Sequence, residues 1–281
     1  MQVTKKRTIF SKTGEIVFLI LFGILNLVPI FWGVITSIKT GPDISSMPPK
    51  IFNFTPTFEH YVQVLKTGFL PALIHSAMYC VLSISLTLVC AYLAGYGFAR
   101  RNFPLKKILF YVVILGIPLS GGSATLLIPN YMTMIRLNMV NKWFTMPIIF
   151  TAYHLPQAIW LMIAGVKSIP VELEEAAKID GVGQGYIISR LLPPLMLPSY
   201  AAVSLLGFIG SWNDYITSSV MVSRADLKTV QQVIYDYMGF YGREWGPLTA
   251  ASTLAIIPII IVFTFFGRQL VSGLTAGAVK G

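Results

Sequence analysis

Charged side chains are scarce in this sequence of 281 residues, since 11% are charged whereas 55% are hydrophobic. An average soluble domain has about 25% charged and about 45–50% apolar residues. A disordered chain is excluded, because disorder requires low hydrophobicity and high charge. Cysteine is nearly missing as well: Cys80 and Cys90 are the only two. That number excludes a small secreted domain stabilised by disulfides.

The sequence also lacks the motifs of several enzyme classes. No GxxxxGK[ST] pattern occurs, which excludes a P-loop for ATP on this chain. Gly95-Tyr96-Gly97 is not followed by the rest of a dinucleotide-binding fingerprint. The three histidines, His60, His75 and His154, lack the spacing of metal ligands. We therefore predict no catalytic residue, no metal site and no cofactor on this chain.

What the sequence does contain is long apolar runs. Hydrocarbon admits only helices and closed barrels, and a helix needs about 20 apolar residues to cross it. Six runs qualify, namely 16–38, 72–99, 108–128, 144–166, 200–222 and 248–267. The third of them is interrupted by Pro118 and Gly121-Gly122. The prediction is an all-α polytopic membrane protein with six transmembrane helices.

The distribution of basic residues predicts the orientation. The net charge is +10, and basic clusters at 5–7 and 100–107 flank two spans directly. Such clusters collect on the cytoplasmic side, so both termini are predicted to be cytoplasmic. The same bias explains the positive charge without nucleic acid as a partner. We divide the chain into an N-terminal segment 1–15, a first span with a long outer loop 16–70, a core 71–268 and a C-terminal tail 269–281.

The connection 167–198 lies inside in this topology and is too long for a simple turn. Ser168 and Pro170 mark a helix start, and Asp180-Gly181 marks its end, because glycine adopts positive φ. A second short helix is predicted at 187–192, stopped by Pro193-Pro194. Helix–turn–helix loops of this kind, with a compact polar surface, suit a partner protein.

Two features of the first helix in this loop point to its exposed surface. Glu174 and Lys178 are four residues apart, so we expect them to pair on the exposed face. Ala176 and Ala177 provide a small surface against which another helix can lie closely.

The order of residues in this loop resembles the EAA motif of binding-protein-dependent ABC importer permeases. Glu175-Ala176-Ala177 is followed by Gly181 and, after nine residues, by an apolar-x-x-Pro ending at Pro194. The family pattern E-A-A-x-x-x-G-x(9)-I-x-L-P has Ile and Leu where this chain has Leu191 and Pro193. The resemblance implies that the loop is a coupling helix that docks on an ATPase subunit. The residues assigned to this contact are Glu175, Ala176, Ala177, Lys178, Asp180 and Gly181.

Other segments resemble the carbohydrate branch of that family. Trp212-Asn213-Asp214 is similar to its WN-[DE] signature, and 273–281 is similar to the tail of the shorter permease subunit of maltose-type transporters. The segment Trp-Gly-Pro-Leu at 245–248 fits the same subfamily. The implied fold is a type I ABC importer permease with a cytoplasmic coupling helix. The implied function is half of a pathway for a sugar or oligosaccharide in a bacterial inner membrane.

This resemblance implies several partners. They are a second permease subunit, two ATPase subunits carrying ATP and Mg, an extracytoplasmic solute-binding protein, a carbohydrate and the lipid bilayer. Trp212, Asn213, Asp214 and Tyr215 are candidate pathway residues, although a structural hydrogen bond is an alternative role for Asp214. An aromatic outer loop is the candidate contact for the binding protein, through Tyr235, Tyr237, Tyr241 and Trp245. An interfacial aromatic belt is the alternative explanation of that loop.

Three other functions fit parts of the sequence. An ABC permease for another polar solute, such as a polyol or glycerol phosphate, is hardly separable by sequence. A secondary transporter would require inverted repeats or several buried acidic residues. A membrane scaffold without transport activity would not associate with an ATPase.

Overall fold

The computed structural model describes residues 9–120, 124–239 and 242–278. Within these residues the regular structure is helical and contains no strand. The α-helices are α1 (Ile9–Ser37), α2 (Gly41–Ile44), α3 (Glu59–Lys66), α4 (Phe69–Arg100), α5 (Lys106–Ser120), α6 (Ala124–Arg136), α7 (Thr145–Ser168), α8 (Val171–Ile179), α9 (Gln184–Tyr186), α10 (Leu192–Leu195), α11 (Leu197–Trp212), α12 (Ile216–Met221), α13 (Val230–Asp236) and α14 (Trp245–Ala278).

Four helical segments of the described chain are long and apolar enough to cross a membrane. They are Gly14–Ser37, Phe69–Arg100, Thr145–Ser168 and Trp245–Gly267. A fifth candidate consists of two helical pieces, Gln184–Leu195 and Leu197–Trp212, bent by 75°. The helical membrane fold is therefore confirmed, whereas the predicted count of six spans is not.

The third predicted span, 108–128, falls on two described helices. α5 ends at Ser120 and α6 begins at Ala124, with residues 121–123 outside the described part. Pro118 lies within α5, so the helix continues past the proline. The predicted interruption at Gly121-Gly122 lies outside the described residues.

The fifth predicted span, 200–222, is also divided. α11 begins earlier, at Leu197, and ends at Trp212, and α12 begins only at Ile216. Between them the Asp214 carboxylate accepts hydrogen bonds from the Ser218 N–H and the Thr217 hydroxyl, both at 2.8 Å. This side chain satisfies one backbone N–H in the first turn of α12, and so it favours a new helix over the continuation of α11.

The described chain divides into two compact units. The larger unit, Phe69–Val233 with Ile256–Gly281, is built on α4 and α7, which pack along one another, with α5 and α11 packed against α7. Its core contains Tyr92, Met162 and Leu192. A second apolar cluster includes Tyr79 and Phe150.

The smaller unit contains Met1–Gly68 and Ile234–Ala255. The apolar side chains of α1 are mostly exposed, for example Phe18 at 66% and Leu25 at 70%, as expected for a helix that faces lipid. At the end of α1 the hydroxyls of Ser37 and Tyr61 share a hydrogen bond of 2.7 Å. The His60 ring also bonds the carbonyl oxygen of Lys39, at 2.9 Å. These bonds connect α1 to α3 within the unit.

Candidate functional site

The predicted loop helix is present as α8, Val171–Ile179, directly after α7. Glu172 and Glu174 stand in its first turn, where the helix dipole favours carboxylates. Asp180 caps the other end. The start and the end predicted from Pro170 and Asp180-Gly181 are therefore confirmed.

Gly181 ends α8 in the left-handed conformation, with φ of +81°. The Val182 N–H bonds the Ala177 carbonyl at 2.9 Å, and the Gly181 N–H bonds the Lys178 carbonyl at 3.0 Å. This pattern is a Schellman motif, in which glycine supplies the positive φ and the next apolar residue packs back on the helix. Val182 and Ala177 both pack against the same core cluster. The turn therefore fixes the direction in which the chain leaves α8.

The second half of the loop differs from the prediction of a single helix at 187–192. A short α9 leads into a π-helical segment, Ile187–Leu191, and α10 then runs through Pro193 and Pro194. α10 begins at Leu192, and Pro193 and Pro194 follow within its first turn, where the missing N–H would have no partner in the helix. The two prolines therefore lie inside a helical turn, whereas the sequence pattern predicts a stop.

Glu174 is buried, which contradicts its predicted exposed pairing with Lys178. Its side chain is 3% exposed, and its Oε1 lies 2.6 Å from Nε of Arg100, the last residue of α4. The Arg100 Nη2 also donates to the carbonyl oxygens of Val166, at 2.9 Å, and Ile169, at 2.7 Å. Three elements, the ends of α4 and α7 and the start of α8, therefore meet on one guanidinium.

Two neutral side chains complete this cluster. The Tyr96 hydroxyl donates to Glu174 Oε2 at 3.1 Å, and the Gln184 amide donates to the Tyr96 hydroxyl. We call Tyr96, Arg100, Glu174 and Gln184 the anchor cluster. A buried ion pair is stable only when the remaining donors and acceptors are satisfied, and here they largely are. The anchor cluster holds α8 in a fixed position relative to α4 and α7.

The opposite face of α8 is exposed in the part of the chain that the structure describes. Its residues recur at intervals of three and four, as one helical face requires: Glu172, Glu175, Ala176 and Ile179. All four are exposed, and Ile179 is 86% exposed, which is unusual for an isoleucine on a polar loop. We call these four residues the outward face. Sequence reasoning missed Ile179 as a contact candidate, although its spacing from Glu175 and Ala176 was the available signal.

The other residues assigned to the ATPase contact differ in their exposure. Lys178 and Asp180 are exposed, and so is Gly181. Ala177 is half-buried and belongs to the inner side of α8. The structure thus brings Glu175 and Ala176 together on the outward face and places Ala177 beneath it.

The candidate pathway residues lie where α11 ends. Trp212 is 1% exposed and stacks on Phe208, with ring centroids 5.3 Å apart. The Asn213 amide donates to the Ile209 carbonyl of its own helix at 3.0 Å. Asp214 and Tyr215 are half-buried. Trp212 therefore contributes to the core of its unit, and the pathway role of all four residues stays a prediction.

An Asp214→Ala variant is expected to lose about 1 kcal/mol of stability, because it removes the cap of α12. Asp214→Asn is expected to lose less, since an amide oxygen still accepts a hydrogen bond. Thermal unfolding of the detergent-solubilised protein measures both effects. Asp226→Ala is the matched control, because that exposed carboxylate pairs with the exposed Arg224 two residues away. Loss of transport by Asp214→Asn at unchanged stability would contradict the purely capping role.

The candidate contact loop is only partly available for contacts. Tyr235 is 44% exposed and Trp245 is 48% exposed, with the Arg243 guanidinium 5.3 Å from the Trp245 ring. Tyr237 is buried, and its hydroxyl shares a hydrogen bond with Thr67. Tyr241 lies outside the described residues. Of the described candidates, Tyr235 and Trp245 present surface, whereas Tyr237 holds the smaller unit together.

In the part of the chain that the structure describes, no three His, Cys, Asp or Glu side chains are grouped so that they could hold a metal ion. α8 presents an exposed apolar and acidic face, and its inner side is held by the buried polar anchor cluster.

Comparison with known proteins identifies the family of this chain. Residues 87–275 match the family described as "Binding-protein-dependent transport system inner membrane component". The sulfoquinovosyl glycerol transport system permease protein SmoH of Agrobacterium fabrum is 31% identical, over 91% of this chain and 90% of that protein. The diacetylchitobiose uptake system permease protein DasC of Streptomyces coelicolor is 30% identical, over 98% of this chain and all of that protein.

A solved structure shares the fold. It is a chain of a bacterial ABC transporter involved in the import of the acidic polysaccharide alginate. The TM-score is 0.78 at 22% identity, and the match covers 95% of this chain and 99% of that chain. The fold of this chain is therefore that of an ABC importer permease.

Proposed function

This chain belongs to the family of binding-protein-dependent transport system inner membrane components, and we propose that the solute it helps to import is a sugar or an oligosaccharide. The family is that of a non-catalytic permease subunit of ABC importers. We further propose that ATP and Mg bind separate ATPase subunits, that a second permease chain completes the pathway, and that both termini of this chain are cytoplasmic.

The proposed solute class rests on named relatives. The similar proteins include permeases for sulfoquinovosyl glycerol, for diacetylchitobiose and, in Thermococcus litoralis, for trehalose and maltose. These three relatives match 91–98% of this chain. Their solutes share a glycosidic or sugar part, which supports a carbohydrate over a polyol or glycerol phosphate. Uptake of labelled disaccharides, compared with uptake of glycerol 3-phosphate and a polyol in the same cells, tests this proposal.

The single observation that carries the coupling role is the two-sided character of α8. Its outward face is exposed and contains a bare isoleucine, whereas its inner side is fixed by the anchor cluster. A helix with these two faces transmits force, because a partner that moves the outward face must also move the ends of α4 and α7. ATP binding shifts the equilibrium between transporter states only through contacts that differ between them. We propose that the outward face of α8 makes those contacts with the ATPase.

An Ile179→Asp variant is expected to lose most of the co-purifying ATPase while the permease itself stays folded. The side chain is 86% exposed, so the fold does not need it, but a charge replaces the large apolar side chain of the outward face. The chain is co-expressed with the proteins encoded by the genes next to its own and is then purified. We expect the variant to retain at least tenfold less ATPase than the wild type.

Leu105→Asp is the matched control for Ile179→Asp. Leu105 is 66% exposed, in the loop that follows α4, and has φ of +62°, which aspartate tolerates. It is expected to retain the ATPase at the wild-type level. If both variants retained the same amount of ATPase, the outward face would have no docking role. If no ATPase co-purified with the wild type, the importer assignment would be overturned.

A further inference from the structure

A cavity of about 260 Å³ lies in the smaller unit, at the end of α1. Its walls combine two tryptophans, a lysine, an aspartate and two threonines with Ile44 and Pro49; the polar and aromatic residues are Trp32, Thr36, Lys39, Asp43, Trp245 and Thr249. Ligand sites for small molecules typically start at about 300 Å³ and combine apolar walls with a few polar groups. This cavity has that composition and suits a small ligand.

Lys39 is the unusual residue of this cavity. It is only 2% exposed, yet its ammonium group pairs with no described carboxylate and donates no hydrogen bond to any described residue. Its contacts are aromatic: Nζ lies 4.7 Å from the centre of the Trp32 ring and 5.4 Å from that of Phe54. Aromatic faces attract a cation but accept none of its three N–H donors as a carboxylate would. A lysine almost never lies this deep without a paired charge.

The acidic residue in the wall does not supply that charge. Asp43 Oδ1 lies 2.6 Å from Nζ of Lys50, and Oδ2 accepts a hydrogen bond from the Thr40 hydroxyl at 2.8 Å. These bonds hold the pKa of Asp43 below its ordinary value, so the carboxylate stays ionised and is already compensated by Lys50. Lys39 therefore remains the uncompensated charge of the cavity among the described residues.

Thr36 supplies a second polar group in the wall. Thr36 is 7% exposed, and its hydroxyl makes no hydrogen bond to a described residue. The Thr249 hydroxyl donates to the carbonyl of Trp245 at 2.7 Å, and its oxygen can still accept. The cavity wall therefore offers an ammonium group and a hydroxyl, neither bonded to a described residue, and both can bind a polar ligand.

We propose that this cavity binds the oxyanion of a small hydroxylated molecule, with its carboxylate or phosphate on Lys39 and a hydroxyl on Thr36. An oxyanion satisfies the ammonium donors, and hydroxylated carbon fits beside the tryptophan faces. Two sources offer this chemistry, namely an acidic sugar in solution and the headgroup of an anionic lipid. The site goes beyond the proposed function, because it concerns neither α8 nor the candidate pathway residues.

The test measures ligand binding to the purified transporter. Tryptophan fluorescence is the readout, because two tryptophans line the cavity. One arm titrates glucuronate against glucose in detergent. The other arm compares nanodiscs of phosphatidylglycerol with nanodiscs of phosphatidylcholine. We expect a saturable change with one of the two anionic probes, weakened at least tenfold in Lys39→Met and unchanged in Lys66→Met, an exposed lysine of α3. A glucuronate response identifies an acidic sugar, whereas a response only to phosphatidylglycerol identifies a lipid.

Thr36→Val keeps the shape of the side chain and removes only the hydroxyl. It therefore tests the site even if Lys39→Met does not fold. We expect it to weaken binding of the same probe by several-fold at an unchanged unfolding temperature. Absence of a saturable change in both arms, or equal binding by wild type and Lys39→Met, would overturn the proposal. Retention of the ATPase, measured on the same preparations, separates this failure from failure of the importer assignment.

Discussion

Replacing Arg100 with glutamine is expected to reduce solute uptake in proteoliposomes at least tenfold, even in the fraction of the protein that stays folded. The guanidinium joins Glu174 of α8 to the end of α7, and glutamine cannot neutralise the buried carboxylate. Removal of one partner of a buried ion pair typically costs about 3–5 kcal/mol, because the other charge is left without compensation. We also expect a lower unfolding temperature and a loosened α8, so that ATPase motion no longer reaches α4.

Arg101→Gln is the control, because it removes the same charge from the exposed neighbouring position. The double variant Arg100→Gln/Glu174→Gln removes both buried charges and is expected to recover part of the unfolding temperature without recovering uptake. A double-mutant cycle of unfolding free energies measures the coupling between the two side chains. If Arg100→Gln retained wild-type uptake and stability, the anchor cluster would have no role in coupling.

A Gly95→Val substitution is expected to prevent correct packing of α4 against α7. A Cβ atom at Gly95 would lie 2.7 Å from the Met162 Cβ and 3.1 Å from backbone atoms of Met162 and Ile163. Because two of these contacts are backbone atoms, no side-chain rotation relieves them, and the helices must separate. Overpacking of this kind costs about 1–3 kcal/mol or more. The yield of monodisperse protein and its unfolding temperature in detergent measure the loss.

Gly97→Val, two residues further along α4, is the matched control. A Cβ atom at Gly97 meets nothing within 4 Å, so the substitution has the same effect on helix propensity without the clash. We expect Gly97→Val to behave almost as wild type. If the two valine variants were equally destabilised, helix propensity would explain the effect and the close approach of α4 and α7 would not.

Features that depend on neighbouring residues were predicted well from the sequence. Long apolar runs predicted α1, α4, α7 and α14, because the requirement for about 20 apolar residues is local. The start of α8 and its end at Gly181 followed from capping chemistry within a few residues. The EAA resemblance correctly indicated the family, since that motif is a contiguous pattern.

Features that depend on distant residues were not predicted from the sequence. Glu174 was expected on the surface because only its i+4 neighbour was visible in the sequence, whereas its actual partner Arg100 is 74 residues away. The division of the fifth predicted span depends on the cap that Asp214 provides, which hydropathy does not register. The roles of Tyr237, Lys39 and Gly95 likewise depend on side chains brought close only by folding.

The sequence by itself determined the class of this protein: a helical membrane protein with a coupling loop of the EAA type. The length of an apolar run, the capping residues of a helix and the order of residues in a motif are properties of short segments. They can therefore be recognised without knowledge of the fold. Only the tertiary structure decided which face of α8 is outward, which side chains anchor its other face and where a lysine is buried without a carboxylate from the described residues. Those properties depend on burial and on pairing across distant segments, and burial is decided by the packing of α4, α7 and α11 as a whole.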